Sequence, residues 1–407
     1  MPGLETEDDA VADFQRLLDP SSRTDPYPLL DRLRAASPFV ARPGVVVVGR
    51  HADCWQVLRS PVVSSERGRA RLATSPHGPR TRNFLHLDPP DHTRLRRLVS
   101  KAFTPRVVNA LAPSVQATVD GLLSAAAARG GLDVVADLAQ PLPVHVICEL
   151  LGVPVADYPV FHEWSTTITH TLEPPIPGVI DQYVTAEARR AARELVRYFR
   201  DLIAARRAEP RADLVSYLVE VNEGGDQLTD SELLATCALL LTGGHETAVS
   251  MISNGVLALL RHPEQYAALV DDPSLAGGAV EEILRYDPSV QVTARVATEP
   301  FQLGKIEVVE GDLLLLLLAA ANRDPDVFPD PDRFDIRRGA TNHLAFAAGP
   351  HFCLGASLAR LEGTLAFQTL VRRVRRPRLG AEPAYRPNLN LRGPVRLDVG
   401  YDEILPA

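Results

Sequence analysis

Cys353 lies in a segment whose residue types would suit a thiolate that binds a metal. The segment, Phe346–Ala359 (FAAGPHFCLGASLA), delivers the cysteine from a loop to the start of a predicted helix. There the helix dipole and free backbone N–H groups lower a thiol pKa and stabilise the thiolate. Gly349 and Gly355 would let the backbone approach a flat cofactor. A lone cysteine is more often a buried structural residue, and zinc would need a second ligand pair that Cys353 and His351 lack.

A second candidate lies within a long apolar segment, at residues 241–247 (LTGGHET). Each glycine of the Gly243-Gly244 pair costs about 1 kcal/mol against alanine in a helix, so we expect a local distortion there. The Thr247 hydroxyl can bond the carbonyl of Gly243, four residues earlier. A hydroxyl backed by the carboxylate of Glu246 would be a suitable proton relay. The alternative interpretation is a glycine-kinked core helix with a polar end.

Charged residues at helical spacing form two further candidate clusters. Glu282 and Arg285 are three apart and share a helix face, an arrangement worth only about 0–1 kcal/mol if it is a surface ion pair. Asp91 can cap a helix in which His92 and Arg96, four apart, can point at one anionic ligand. Both pairs are therefore ambiguous when taken singly.

The elements that must position these residues are mostly helices. A capping box at Thr229 and Glu232 opens a long helix that continues to about Leu260. Apolar periodicity predicts the other helices at 27–36, 92–102, 107–129, 141–151, 184–207, 212–222, 279–286 and 354–372. Strands are predicted at 45–48, 290–294, 301–303, 306–309 and 313–318. The sequence therefore predicts a mainly α fold with a smaller β part, as one domain over 1–407 with about 1–20 flexible.

Composition narrows the class of protein. The chain carries 43 Lys and Arg against 51 Asp and Glu, and a net charge of −8 argues against nucleic acid as a partner. Its four scattered cysteines form no CxxC pair, which favours a reducing cytoplasm. The acidic start, Met1–Asp9, lacks a signal peptide's apolar core, and the apolar run Leu313–Ala321 is too short to cross a bilayer. We expect a cytoplasmic monomer without a membrane anchor.

Taken together, these segments resemble the bacterial type of the cytochrome P450 family. The Cys353 segment is similar to its haem-ligand signature, with Ala347 where glycine is common, and Glu282–Arg285 is similar to its ExxR. Residues 241–247 resemble the centre of its I helix, and residues 86–97 the entry to its helix C. The order is that of the family, from about 25 to 397. The resemblance implies the P450 fold, with haem b between the I helix and the L helix with its Cys loop.

The resemblance also implies roles for individual residues. Cys353 would be the axial iron ligand, and a thiolate trans to bound oxygen favours O–O cleavage. Glu246 and Thr247 would be the acid and alcohol that deliver protons. Glu282 and Arg285 would form a buried cluster with Arg333, from the segment PDRF, that holds the coil before the cysteine. The other implied haem contacts are His92, Arg96, Arg295 and His351 at the propionates, and Gly243, Phe346, Gly349 and Gly355 along the ring.

The function implied is that of a monooxygenase. Two electrons from NAD(P)H would arrive through a ferredoxin or flavodoxin and its reductase, and one oxygen atom would enter a C–H or C=C bond of a mid-sized, mainly apolar small molecule. An actinobacterial tailoring enzyme for a secondary metabolite, with polyketides ahead of terpenoids, is the favoured interpretation. By position near the haem motifs, the candidate pocket residues are Phe84, Leu239, Thr242, Val292 and Thr293.

Three questions stay open from the sequence. Arg94, Arg97 and Lys101 repeat at three and four on the helix after Asp91, and form either a solvated face or a docking patch for an acidic electron donor. Residues 64–82, with five arginines, form a long loop that is either functional or simply solvated. The alternative functions are a haem-containing binding or recruitment module with little turnover, and a peroxide-driven oxidase.

Overall fold

The computed structural model describes residues 7–71, 83–169, 173, 176, 185–223, 226–339 and 342–407. Its longest helix, Asp230–Arg261, begins at the predicted capping box, where the N–H of Thr229 donates to the Glu232 carboxylate at 2.8 Å. The helices are α1 (Glu7–Leu18), α2 (Tyr27–Ala36), α3 (His51–Arg59), α4 (Asp91–Ser100), α5 (Pro105–Ala110), α6 (Ala112–Arg129), α7 (Pro141–Leu151), α8 (Tyr158–Thr169), α9 (Ala186–Ala208), α10 (Leu214–Glu220), α11 (Asp230–Arg261), α12 (Pro263–Asp271), α13 (Ala276–Tyr286), α14 (Leu318–Ala321) and α15 (Ala356–Arg373).

The β part is small and is divided among several sheets. Its strands are β1 (Phe39–Arg42), β2 (Val45–Val48), β3 (Val63–Ser64), β4 (Leu132–Asp133), β5 (Asn222–Glu223), β6 (Asp226–Gln227), β7 (Thr293–Ala297), β8 (Phe301–Leu303), β9 (Ile306–Val308), β10 (Leu313–Leu316), β11 (Val374–Arg375), β12 (Arg378–Leu379), β13 (Asp398–Gly400) and β14 (Glu403–Ile404). The main described sheet has the order β1-β2-β10-β7-β3.

Two unbroken apolar runs form the centre of this sheet. Val45–Val48 and Leu313–Leu316 are buried at every position, as expected for strands covered on both faces. They pair in parallel, with Leu313 opposite Val45, and β7 pairs antiparallel to β10 with Arg295 opposite Leu314. The sheet therefore holds Arg295 on a rigid, buried strand.

Helix α11 crosses the helical core and packs against α7, α8, α9, α13 and α15. Most of its side chains are buried, including Leu241, Val249 and Ile252. Helix α15, which follows Cys353, packs on α6 and α13. In the part of the chain that the structure describes, no helix combines the length and apolarity needed to span a membrane.

The structure confirms the mainly α architecture and corrects several local predictions. Helix α1 forms from Glu7, with Phe14 fully buried against α2, so most of the segment predicted to be flexible is packed; residues 1–6 lie outside the described part. The predicted helix 107–129 is two helices that meet at Leu111. The predicted strand 290–294 lies three residues later, so Arg295 lies inside β7 rather than after it. Helix α11 is continuous through the two glycines, so any distortion there does not end the helix.

Candidate active site

The loop before α15 is fixed tightly enough to present Cys353 in one position. The N–H of Cys353 donates to the carbonyl of Phe346 at 2.9 Å. Ala347 and Gly349 both adopt the left-handed backbone region, with φ of 56° and 69°. A Cβ at Gly349 would collide with the carbonyl oxygen of Leu58 in α3, so only glycine fits there. The loop is thus clamped between α3 and the start of α15.

The surroundings of Cys353 differ from those of the other cysteines. Cys353 is exposed, whereas the other three cysteines, Cys54, Cys148 and Cys237, are buried. Desolvation by the surrounding protein raises the pKa of the Cys353 thiol, while the backbone N–H of Gly355 and the charges of Arg96 and Arg360 favour the thiolate. Cys353 is therefore the cysteine that combines access with donors to its sulfur, as a metal-binding thiolate requires.

Basic side chains from three elements meet beside this loop. His92 and Arg96 come from α4, Arg295 from β7, and His351 from the Cys353 loop. The rings of His92 and His351 have centroids 4.1 Å apart. Desolvation, followed by the charges of Arg295, His92 and Arg96, lowers the pKa of His351 to about 2. The structure therefore brings together all four residues expected to bind the haem propionates.

Two more basic residues, which the sequence did not indicate, contribute to this cluster. Desolvation and the charge of Arg67 lower the pKa of His86 to about 3. Desolvation and the same Arg67 lower the pKa of Arg295 to about 10. Arg67 itself donates to the carbonyl of Glu173 at 3.1 Å. Three of the loop's five arginines, Arg67, Arg69 and Arg71, lie in the described part of the chain, and Arg80 and Arg82 lie outside it.

The basic cluster fits a ligand that carries two carboxylates. Both ring nitrogens of His92 are buried without a hydrogen-bond partner, and His92 as a whole is only 2% exposed. Buried polar atoms are normally paired, so these nitrogens call for an acceptor. Of the acidic residues, Asp88 is the one whose charge acts on both His92 and Arg295. The excess of positive charge matches the two propionates of haem.

The centre of α11 carries the expected hydroxyl geometry. The Thr247 hydroxyl donates to the carbonyl of Gly243 at 2.8 Å. Gly243 is exposed although it lies in the middle of a buried helix, and a Cβ there would meet nothing within 4 Å. Gly244 instead faces α7, where an added Cβ would lie 3.6 Å from Cδ1 of Ile147. The glycine pair thus leaves one face of α11 open beside Thr247.

Glu246 points away from that hydroxyl and into a polar cluster that the sequence did not indicate. The Thr166 hydroxyl of α8 donates to its carboxylate at 2.8 Å, and Arg386 donates to the other oxygen. Nδ1 of His245 lies 3.7 Å from Oε1. Burial alone would raise the pKa of Glu246, but the charge of Arg386 and then that of His245 outweigh it, so the pKa is lowered. Glu246 is therefore held as a carboxylate.

The ExxR pair is a buried structural cluster. Glu282 and Arg285 are 1% and 0% exposed and share two hydrogen bonds of 2.7 and 2.8 Å. Arg285 also donates to the carbonyls of Asn322 and Pro331, at 3.1 and 2.8 Å. The cluster thus fixes the coil that leads towards Cys353.

The third arginine of this cluster is Arg338 and not Arg333. Nε of Arg338 donates to the Glu282 carboxylate at 3.2 Å. The side chain of Arg333 is 65% exposed and lies 3.6 Å from Asp335. Arg333 contributes to the cluster only through its backbone carbonyl, which accepts from Arg285 and Arg338. The prediction failed because the coil turns after Phe334, which is buried, and brings the later arginine back to the glutamate.

The basic stripe on α4 is largely neutralised within the chain. Arg94 pairs with Asp226 at 3.0 Å and with Glu232, and Arg97 lies 3.4 Å from Asp226. These contacts tie α4 to the β5–β6 hairpin and to the start of α11. A docking patch built on Arg94 and Arg97 is therefore a weaker prediction than the sequence spacing suggests.

The candidate pocket residues are spread over two core clusters. Phe84 is buried in the cluster of the helices, and Leu239 packs against the same cluster. Val292 is buried with the sheet residues. The Thr242 hydroxyl bonds the carbonyl of Ala238 in its own helix, and Thr293 lies 3.5 Å from Arg295. Their role in substrate binding stays a prediction.

Comparisons with known proteins agree with this geometry. The family profile described as Cytochrome P450 matches residues 39–272 and 274–376. The chain is 42% identical over 390 residues to the cytochrome P450 monooxygenase PikC of Streptomyces venezuelae. This alignment covers 93% of the present chain and 91% of PikC. The chain is also 42% identical over 319 residues to the 6-deoxyerythronolide B hydroxylase of Saccharopolyspora erythraea, covering 76% of this chain and 77% of the relative.

The fold also agrees with that of a solved structure. Ligand-free CYP164A2 of Mycobacterium smegmatis superposes with a TM-score of 0.88 at 46% sequence identity, covering 96% of this chain and 99% of the other. The likeness therefore extends over almost the whole length of both chains.

Proposed function

This chain belongs to the cytochrome P450 family and is a monooxygenase of that family, and we propose that the thiolate of Cys353 would hold the iron of haem b for the oxidation of an apolar small molecule. One atom of dioxygen would enter a C–H or C=C bond of a mid-sized substrate. A polyketide-type secondary metabolite is the favoured class, because a relative of 42% identity is named as the hydroxylase of 6-deoxyerythronolide B.

The observation that carries this proposal is the pairing of one accessible cysteine with a basic cluster that has an excess of positive charge. Cys353 is exposed and has the N–H of Gly355 directed at its sulfur. Arg96, Arg295, His92 and His351 come from separate elements and converge beside it. A thiolate for iron and cations for two carboxylates are the two demands that haem makes on a protein.

Separate groups of residues would bind the haem and deliver protons. Cys353 would hold the iron, and the His92–Arg96–Arg295–His351 cluster would hold the propionates. When bound, haem supplies the chemistry of reductive dioxygen activation. Thr247, whose hydroxyl is fixed on Gly243, would orient a proton donor at the open face of α11. Glu246 would supply protons to that face from the polar cluster behind it.

The electron donor would dock beside the Cys353 loop, where the chain exposes aromatic surface. Trp55 and Phe352 are 41% and 42% exposed, and both line a groove with Arg59. Exposed aromatic and arginine residues are enriched at protein interfaces. We infer an acidic ferredoxin or flavodoxin, supplied through its reductase by NAD(P)H.

The proposal is tested by the spectrum of the reduced, CO-bound protein. We expect the red-shifted band of a thiolate ligand, and Cys353→Ser should abolish it while Cys148→Ser, a buried cysteine elsewhere, keeps it. A spectrum unchanged by Cys353→Ser would overturn the assignment.

Two alternative activities are separated by the source of oxidising equivalents. A peroxide-driven oxidase would turn over with hydrogen peroxide alone, and a binding module would turn over with neither supply. We expect product with NADPH plus a ferredoxin system, because both Glu246 and Thr247 are present for proton delivery. Equal or faster turnover with peroxide alone would favour the oxidase.

A further inference from the structure

Two histidines that the proposed function does not use lie in line between Glu246 and the protein surface. His245 of α11 is 0% exposed, and its two ring nitrogens face different partners. Nε2 lies 3.4 Å from Nδ1 of His162 in α8, and Nδ1 lies 3.7 Å from Oε1 of Glu246. Nδ1 has no hydrogen-bond partner although it is buried. Buried polar atoms are normally hydrogen-bonded, so an unpaired ring nitrogen beside a carboxylate is unusual.

His162 connects this pair to solvent. It lines a cavity of about 280 Å³ between α7 and α8, together with Gln140, His145, Val155 and Tyr158. Val155 is 71% exposed, so the cavity lies at the protein surface. Water can therefore reach His162 but not His245 or Glu246, which are 0% and 2% exposed.

Of the side chains around Glu246, His245 is the one suited to passing a proton. Arg386 is bound to the carboxylate but does not give up a proton near neutral pH. Thr166 is committed as a donor to Glu246. An imidazole can accept at one nitrogen and release from the other. Each turnover of the proposed monooxygenase consumes protons, so a buried carboxylate that supplies them must be reloaded from solvent.

We propose that His162 and His245 form a proton-uptake path from the α7–α8 cavity to Glu246. His162 takes a proton from water and passes its Nδ1 proton to Nε2 of His245, while the Nδ1 proton of His245 goes to the Glu246 carboxylate. One proton moves from solvent to Glu246, and no electron is transferred. The path rests on the proposed function, and both histidines act through Glu246 as positioning residues.

The surroundings of His245 favour the neutral imidazole, which can accept a proton at one ring nitrogen and donate from the other. Desolvation lowers the pKa of His245 to about 4, and Glu246 opposes this shift while His162 and Arg386 add to it. The backbone of Gln140, at the end of the π-helical turn before α7, raises the pKa of His245 and so opposes the shift, as Glu246 does. A neutral ring keeps one nitrogen as donor and the other as acceptor at pH 7.

The test compares His162→Gln with His145→Gln in the haem-loaded protein. Both histidines line the same cavity, but His145 packs on Tyr158, with ring centroids 5.0 Å apart, and makes no described contact with His245. With ¹⁵N-labelled histidine in the diamagnetic CO-bound state, we expect exchange of the His245 ring proton with water to slow by about tenfold or more in His162→Gln only.

Turnover supplies an independent comparison. His162→Gln should lower product formed per NADPH at least about fivefold, raise peroxide release and enlarge the solvent deuterium isotope effect, whereas His145→Gln should match the wild type. A merely structural role for His162 would not change the isotope effect. If His162→Gln leaves both the ring-proton exchange and the isotope effect unchanged, the path is excluded.

A measurement on the wild-type protein needs neither a substitution nor turnover. After transfer to ²H₂O, the His245 ring proton should exchange much faster than the backbone amides of α11 around it. Exchange no faster than those amides would overturn the path even where the CO spectrum supports the thiolate. Loss of the thiolate spectrum with fast His245 exchange would instead contradict the proposed function alone.

Discussion

Ala347 adopts a backbone conformation that is unfavourable for alanine. Its φ of 56° lies in the left-handed region, which costs an L-residue about 1–2 kcal/mol. Its N–H donates to the carbonyl of Leu344 at 2.8 Å, and the next residues form the turn that leads to Cys353. The loop is therefore held in this conformation by its neighbours and not by the preference of Ala347 itself.

Replacing Ala347 by glycine should relieve this strain. We expect Ala347→Gly to raise the free energy of unfolding by about 0.5–1 kcal/mol, since part of the gain is offset by the greater freedom of glycine in the unfolded chain. Urea-induced unfolding of the haem-loaded protein measures the change. The control is Ala348→Gly, at a φ of −149° that any residue adopts, which should lower stability. Destabilisation by both substitutions would contradict the strain at Ala347.

At the scale of elements, the long coil between α14 and α15 depends on one buried carboxylate. Glu282 accepts from Arg285 and Arg338 and also from the backbone N–H of Asp335, at 2.9 Å. Arg338 further donates to the carbonyls of Asp330 and Arg333, at 3.0 and 2.8 Å. Helix α13 thereby holds a segment that has little regular structure of its own.

Removing Arg338 should therefore loosen this coil. We expect Arg338→Met to cost about 3–5 kcal/mol, because it leaves a buried carboxylate with one cation fewer. Arg333→Met, at an exposed side chain, should cost less than about 1 kcal/mol. Thermal unfolding and the amount of haem retained after gel filtration report the two effects. Similar losses from both variants would contradict the assignment of Arg338.

The same coil shows where sequence reasoning reaches its limit. Periodicity and caps located α7 and α11 closely, because these signals act within one helix. The third arginine depended on the path of an irregular chain, which short-range patterns do not encode. Arg386 was missed for a similar reason, since nothing in its own neighbourhood signals that folding brings it to Glu246. The Cys353 loop was easier because its residue types and the following helix are contiguous.

For the whole molecule, net charge and local charge act in opposite directions. A net charge of −8 repels an acidic electron donor at long range. Productive approach of the proposed donor would therefore depend on the local surface around Trp55, Arg59 and Phe352. Because Arg94 and Arg97 are paired with acidic residues of the same chain, they add less to this attraction than their number suggests.

The rate of haem reduction by a ferredoxin should show how much the local surface around Arg59 contributes to docking. We expect Arg59→Glu to lower the second-order rate constant at least about threefold at low salt, and this difference from the wild type to shrink as salt is added, since the Debye length is about 10 Å at 0.1 M. Arg197→Glu, at a side chain that is 72% exposed on α9, is the matched charge control. Stopped-flow measurement of haem reduction gives the rates. An equal effect of both variants would place the donor elsewhere.

The parallel pairing of β2 with β10 has a consequence for how the chain is made. Val45 meets Leu313 across the sheet, so the partner of an early valine-rich strand emerges from the ribosome only near the end of synthesis. At roughly 5–20 residues per second, that strand waits for tens of seconds with its edge unpaired. The N-terminal hairpin is thus left without this partner for much of synthesis, and we expect translation speed to affect the yield of folded protein.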